Sequence, residues 1–289
     1  MSETPVTQTS MTETDVTLPD GRVLHAYDTG AREDGLLPVL WLHGTPNVGT
    51  PPRPLFADAR RLGLRWLGYD RPGYGGSTPA PGRSIASAAD DVAAVLDALG
   101  VDRFAAFGHS GGGPHALACA ALLGERVKAV VGASGPAPYD ADGLDFFAGM
   151  AEGSVATLRA AAAGRAAREA LEDADEELDP GFVAADGEAL AGDWAWFMEV
   201  VRPAIAAGPA AAVDDDLALV APWGFAVADV AAPTLVLHGA ADRMIPPGHA
   251  SWLAATVPGA ELRIVPDEGH VSVLRHASSA LDWLVERAS

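Results

Sequence analysis

The sequence predicts an α/β protein, a doubly wound and mostly parallel eight-stranded sheet with an inserted helical cap. Three observations carry that prediction. Six short, continuously apolar segments recur along the chain, as strands buried on both faces require, and helical patterns separate most of them. Roughly a hundred residues between the fourth and fifth of these segments show Ala-rich, acidic, helical patterning and no strand signal. A polypeptide of 289 residues, 49% hydrophobic and 20% charged, can bury the core of one large domain with an insertion.

Residues 1–13 are polar and Thr-rich and are expected to be disordered. VTLPDGRVLHAY, from Val16, reads as a β-hairpin with Asp20-Gly21 at its turn. The six buried strands are expected at 38–42, 64–69, 103–107, 127–132, 234–237 and 261–265. Ser84 is a candidate N-cap for a helix whose Ile85, Ala89, Val92, Val95, Leu96 and Leu99 share one face, and Gly100 stops it. Leu274, Leu281, Trp283 and Leu284 mark a last helix. Alternating strands and helices wind right-handed crossovers onto both faces of the sheet. The predicted core is 14–138 with 228–289, and the cap is 139–227. PVLWLHG from Pro38 and PTLVLHG from Pro233 look alike because both are central strands, not because the chain repeats.

GHSGGG, Gly108 to Gly113, joins a strand pattern to a helix pattern and so sets Ser110 on a sharp turn. A hydroxyl is a poor nucleophile unless it is held near a base and beside oxyanion donors. Small residues on either side let strand and helix approach, a demand that Gly108 and Gly112 meet. His270, in the loop after the strand that ends at Val265, is the candidate base. Asp242, in the turn after its own strand, is the candidate acid; Asp140 or Asp142 could replace it, whereas Asp267 is too close to His270 in sequence. The candidate oxyanion donors are the main-chain N–H groups of Thr45 and Gly111. His43, His109 and His238 are expected to be packing and hydrogen-bonding neighbours at strand ends.

HGTP at His43, DRPGYGGS at Asp70, GHSGGG, HGAADRMIP at His238 and EGH at Glu268 together resemble the α/β-hydrolase superfamily, from about residue 14 to the end. Their joint order, each placed after a strand, makes the resemblance specific. The order nucleophile, acid, base of Ser110, Asp242 and His270 matches that family. The resemblance implies a serine hydrolase acting on an ester, thioester or lactone, with amide cleavage of the prolyl iminopeptidase kind and carbon–carbon hydrolysis as alternatives. A receptor-like protein of the same fold is the alternative from another class. Epoxide hydrolases and haloalkane dehalogenases share the DRPGYGGS region but carry aspartate where Ser110 stands, so their chemistry is not expected. Trp194, Phe197 and Trp223 are the candidate substrate-binding residues of the cap, with Phe146, Phe147, Met150, Trp196 and Phe225 as further apolar candidates.

A formal charge of -20 and a pI near 4.6 argue against nucleic-acid binding and suit a solvated, self-repelling surface. GGGPHA from Gly111 fits a relaxed GxGxxA dinucleotide pattern, but the next strand tip, VVGASG, lacks the acid that would bind a ribose. There is no HExxH, paired-cysteine or P-loop pattern, and neither metal nor cofactor is expected. Cys119, the single cysteine, falls on an apolar helix side and reads as structural. The N-terminus has no basic start or apolar core, and no apolar run reaches the roughly 18 residues of a membrane span. The expected partner is therefore a small molecule with an acyl group, in the cytoplasm, with no membrane and no nucleic acid; oligomeric state is not legible.

Overall fold

The computed structural model describes residues 11–30, 35–174 and 178–288. Its sheet contains β1 (Thr12–Thr17), β2 (Val23–Asp28), β3 (Leu37–Leu42), β4 (Leu64–Tyr69), β5 (Phe104–His109), β6 (Val127–Ala133), β7 (Thr234–Gly239) and β8 (Glu261–Val265). Their spatial order is β1-β2-β4-β3-β5-β6-β7-β8. The hairpin β1-β2 runs antiparallel and joins β4 antiparallel; every other pairing is parallel. Residues 1–10 of the segment expected to be disordered lie outside the described residues. Thr12 and Glu13, which it included, pair with Asp28 and Tyr27 and open β1.

Ten α-helices are present among the described residues: α1 (Phe56–Leu62), α2 (Ser87–Ala98), α3 (Gly112–Leu122), α4 (Glu152–Ala163), α5 (Arg165–Asp173), α6 (Ala184–Ala191), α7 (Phe197–Ala206), α8 (Ala210–Val220), α9 (Pro247–Thr256) and α10 (Ala277–Ala288). None is long and apolar enough to cross a membrane. Alternate residues of each central strand feed opposite cores. Leu40, Leu42, Leu67, Ala106 and Val130 join residues of α2, α3 and α9, whereas Val39, Trp41, Trp66, Ala105, Phe107 and Val131 join residues of α1 and α10. All six residues of β5 are buried, the apolar run Phe104 to Phe107 and the Gly108-His109 end alike. β8 differs: Leu262 and Ile264 are exposed, because this strand closes the sheet edge.

One local expectation shifts and one holds. α2 begins at Ser87, three residues after the predicted cap. The Ser84 hydroxyl still accepts the Ser87 N–H at 3.2 Å, but within a turn that precedes the helix. Gly100 follows α2 with φ of +68°, the left-handed stop that glycine adopts without a Cβ penalty.

Chain reversal beside β3 places the site. β4 lies on one side of β3 and β5 on the other, so the loops leaving β3 and β5 emerge next to each other at the carboxyl edge. Leu42 is in register with Gly108, which brings Thr45 and Ser110 together. α4 to α8 are all inserted between β6 and β7.

Candidate active site

Ser110 has φ of +53°, a left-handed conformation that costs a non-glycine residue about 1–3 kcal/mol and persists only where its surroundings enforce it. The surroundings here are backbone. Ser110 N–H donates to the Ala133 carbonyl of β6, and Gly113 N–H donates to the Ser110 carbonyl, each at 2.9 Å. A Cβ on Gly108 would lie 2.3 Å from the Gly112 carbonyl oxygen, and one on Gly112 would lie 1.9 Å from that of Leu42. Only glycine lets α3 start this close to β3 and β5.

The loops after β5, β7 and β8 then converge. Ser110 Oγ is 2.9 Å from His270 Nε2, and His270 Nδ1 is 2.9 Å from Asp242 Oδ2. The other Asp242 oxygen accepts the Met244 and Ile245 N–H groups, both at 2.9 Å, which fixes the carboxylate plane. His238 Nε2 lies 3.3 Å from Asp242 Oδ2 and 2.7 Å from the Ile245 carbonyl. Burial works against ionisation of Asp242, but His270 and His238 outweigh it and hold the carboxyl well below the usual range. Burial likewise pulls the His270 pKa down, and the Asp242 carboxylate overcomes this to leave it raised. The arrangement therefore favours a protonated imidazole over a free one. Asp140 and Asp142 are exposed and take no part.

His109 bonds to the main chain of His270. Its Nε2–H donates to the His270 carbonyl at 3.0 Å while its ring lies parallel to Trp41. Burial, then the neighbouring His270, push its pKa down to about 3, so it stays neutral. Cys119 is buried in α3, and burial pushes its thiol up to about 12, as suits a structural residue.

The predicted oxyanion donors adjoin. A Cβ on Gly111 would lie 3.6 Å from the Thr45 nitrogen, and neither main-chain N–H has a protein acceptor among the described residues. What fixes the Thr45 loop was not legible in sequence. Arg71, the second residue of DRPGYGGS, donates to the carbonyls of His43 and Gly44 and to Asp215 on α8. Thr45 Oγ1 donates to the same Asp215 carboxylate at 2.6 Å, and Tyr74 and Arg83 also reach it. Burial opposes the Asp215 charge, but Arg71 and Arg83 hold the carboxyl well below its ordinary value. The acidity expected to be solvated is thus buried and paired at Asp214, Asp215 and Asp216.

A second inserted carboxylate grips the loop that carries His270. Asp186 on α6 is fully buried and accepts N–H groups from His270 at 3.2 Å, Val271 and Ser272 at 2.8 Å, and Val183 at 3.1 Å. Nothing in its local sequence marks it. Its partners lie 84 to 86 residues further on, apart from Val183 in its own turn.

A cavity of about 420 Å³ opens above the serine, with Thr45, Ser110 and Gly111 from the sheet loops and Leu158, Leu219, Met244 and Ile245 among its apolar lining. Trp194, Phe197 and Trp223, expected to bind substrate, are not lining residues. Trp194 and Phe197 pack with Trp196, which meets Trp41, and Phe197 sits edge-on to His109. Trp223 stacks on Phe225 and donates its indole N–H to the Leu219 carbonyl. These rings found one another and the sheet core; apolarity alone did not say which face they would choose. Aliphatic and polar side chains line the cavity instead.

The chain belongs to the α/β-hydrolase family: a family model described as alpha/beta hydrolase fold matches residues 38–277. It is an enzyme of that family, a hydrolase. Over 284 residues it is 30% identical to a 2-hydroxy-6-oxononadienedioate/2-hydroxy-6-oxononatrienedioate hydrolase of Cupriavidus pinatubonensis, covering 91% of each chain. Over 275 residues it is 31% identical to a pimeloyl-[acyl-carrier protein] methyl ester esterase of Aromatoleum aromaticum, covering 89% of this chain and 93% of the relative. Among solved structures, a thermophilic esterase from Thermogutta terrifontis superposes with a TM-score of 0.67 at 23% identity, over 96% of this chain and 100% of the other, and so shares the fold.

Proposed function

We propose that the protein is a serine hydrolase that cleaves a carboxylic ester, thioester or lactone through an acyl-enzyme on Ser110. The observation that carries this reading is the unbroken run of 2.9 Å contacts from Ser110 Oγ through His270 to Asp242. His270 Nε2 takes the hydroxyl proton as Oγ attacks the carbonyl carbon, and Asp242 holds the tautomer and balances the imidazolium. The N–H groups of Thr45 and Gly111 receive the oxyanion; one such donor is typically worth about a hundred- to a thousandfold in rate. The imidazolium then returns the proton to the leaving oxygen or sulfur. Water, deprotonated by the same nitrogen, attacks the acyl-enzyme and releases the acid and the free serine.

A fluorophosphonate probe and a short-chain p-nitrophenyl ester, applied to wild type and Ser110→Ala, test the reading. Wild type should be labelled and should turn the ester over, and the variant should do neither. Wild-type protein that neither labels nor hydrolyses any ester overturns it. The Cupriavidus relative favours a second reading, hydrolytic carbon–carbon cleavage by the same residues. A vinylogous diketone turned over much faster than every ester would select it.

A further inference from the structure

The wall that the inserted helices contribute to the cavity carries a charged and polar patch beside Leu158, Leu171 and Leu219. Arg168 and Glu172 of α5 and Asp216 of α8 line it, with Ser154 and Thr157 of α4 beside them. Arg168 is almost fully buried, and its guanidinium is shared between two carboxylates: Nε–H donates to Asp216 Oδ2 at 2.8 Å and Nη1–H to Glu172 Oε2 at 2.6 Å. Asp214 and Asp215, held by Arg71, Arg83 and Arg165, do not line the cavity, so among the described residues Arg168 is the one cation at its wall. At the cavity surface itself one cation thus faces two anions, Asp216 and Glu172.

Two hydrogen-bonding positions are unused among the described residues: Arg168 Nη2 has no protein acceptor and Asp216 Oδ1 no protein donor. A donor and an acceptor offered together suit a group that is itself both, whereas a carboxylate would meet the arginine with its charge already spent and two like charges alongside.

We propose that Arg168 and Asp216 form an acyl-recognition subsite that accepts an uncharged donor–acceptor group, an amide or hydroxyl, and rejects a carboxylate. The inference rests on the hydrolase reading above and names the substrate class for that site: acyl groups with a neutral polar terminus. Ser110 and this wall share one cavity, so an acyl chain on the serine can extend toward it.

The test compares p-nitrophenyl esters of matched chain length ending in methyl, primary amide or carboxylate, at pH 8, above the value of about 6 to which burial lifts Asp216. Wild-type kcat/KM should be highest for the amide and should fall for the carboxylate roughly tenfold or more below the methyl ester, as like-charge juxtaposition dictates. Asp216→Asn, and separately the half-exposed Glu172→Gln, should raise the carboxylate-to-methyl ratio by about tenfold, since one ionic charge is removed. A carboxylate-terminated ester that is the best wild-type substrate, or a ratio unmoved in both variants, overturns the subsite while leaving the hydrolase reading intact. Calorimetry on Ser110→Ala separates the two ideas. If no ester is hydrolysed but the monoamide of a dicarboxylic acid binds more tightly than the diacid, the subsite stands and the proposed function falls; tighter diacid binding overturns the subsite.

Discussion

Asp186→Asn isolates the grip that the helical insertion has on the His270 loop. The carboxylate accepts four N–H groups, two per oxygen, and three of the four belong to residues 270–272. An amide presents one oxygen and one NH2, so two donors lose their acceptor and face another donor. Bonds to a charged acceptor net about 1.5–3 kcal/mol each, and a buried orphan donor costs about 1–3 kcal/mol. The expected loss is about 3 kcal/mol, or a Tm lower by about 6–12 °C for a domain of this size. Because a 1 Å displacement of a reacting group can cost about a hundredfold, kcat should fall by roughly ten- to a hundredfold with a smaller change in KM. Initial rates on enzyme titrated for folded protein, with thermal unfolding alongside, measure both. In a His270→Ala background the same change should lower Tm again but cost no further rate, since the group it positions is gone. A fall in Tm with kcat unchanged in the otherwise wild-type enzyme would reduce Asp186 to a scaffold residue and refute the positioning argument.

Other outcomes follow from the same geometry. His270 must be neutral to accept a proton, so kcat/KM should fall as pH drops through a value above its ordinary 6.5, and Asp242→Asn should move that acid limb downward as well as lower the plateau; pH-rate profiles of both proteins check this. Asp215→Asn strips the charge from a carboxylate that pairs buried Arg71 and Arg83, so it should destabilise by about 3–5 kcal/mol and lower kcat, whereas Thr45→Ala, which keeps the N–H, should cost far less of either; denaturant titration and initial rates compare them. Gly112→Ala places a methyl 1.9 Å from the Leu42 carbonyl and should abolish activity by prising α3 from β3, and circular dichroism with an ester assay would show whether activity goes first.

Reading from sequence succeeded where the demand is local. β5 is buried on both faces, so Phe104 to Phe107 had to be apolar, and the elbow had to carry glycines at 108 and 112 because backbone fills the space where a Cβ would sit. The three convergent residues were legible for a related reason, each sitting in a loop just past a recognisable strand. What sequence did not disclose is held by partners far along the chain. Asp215 meets Arg71 across 144 residues and Asp186 meets His270 across 84, and both lie in Ala-rich acidic helices that look like solvated faces. The tryptophans of the insertion misled for the opposite reason, because a large apolar ring announces burial but not the surface it buries against. β8 was read as doubly buried from composition, and only its place at the sheet edge shows why Leu262 and Ile264 are exposed.

The most direct test of the relay is to catch the covalent intermediate. Protein mixed with excess p-nitrophenyl ester and quenched in acid within the first turnover should gain the mass of one acyl group, carried by the peptide that contains Ser110. The adduct should be absent from Ser110→Ala and form far more slowly in His270→Ala. An acyl group on any other residue, or rapid turnover with no acylated protein at any quench time, would contradict the account.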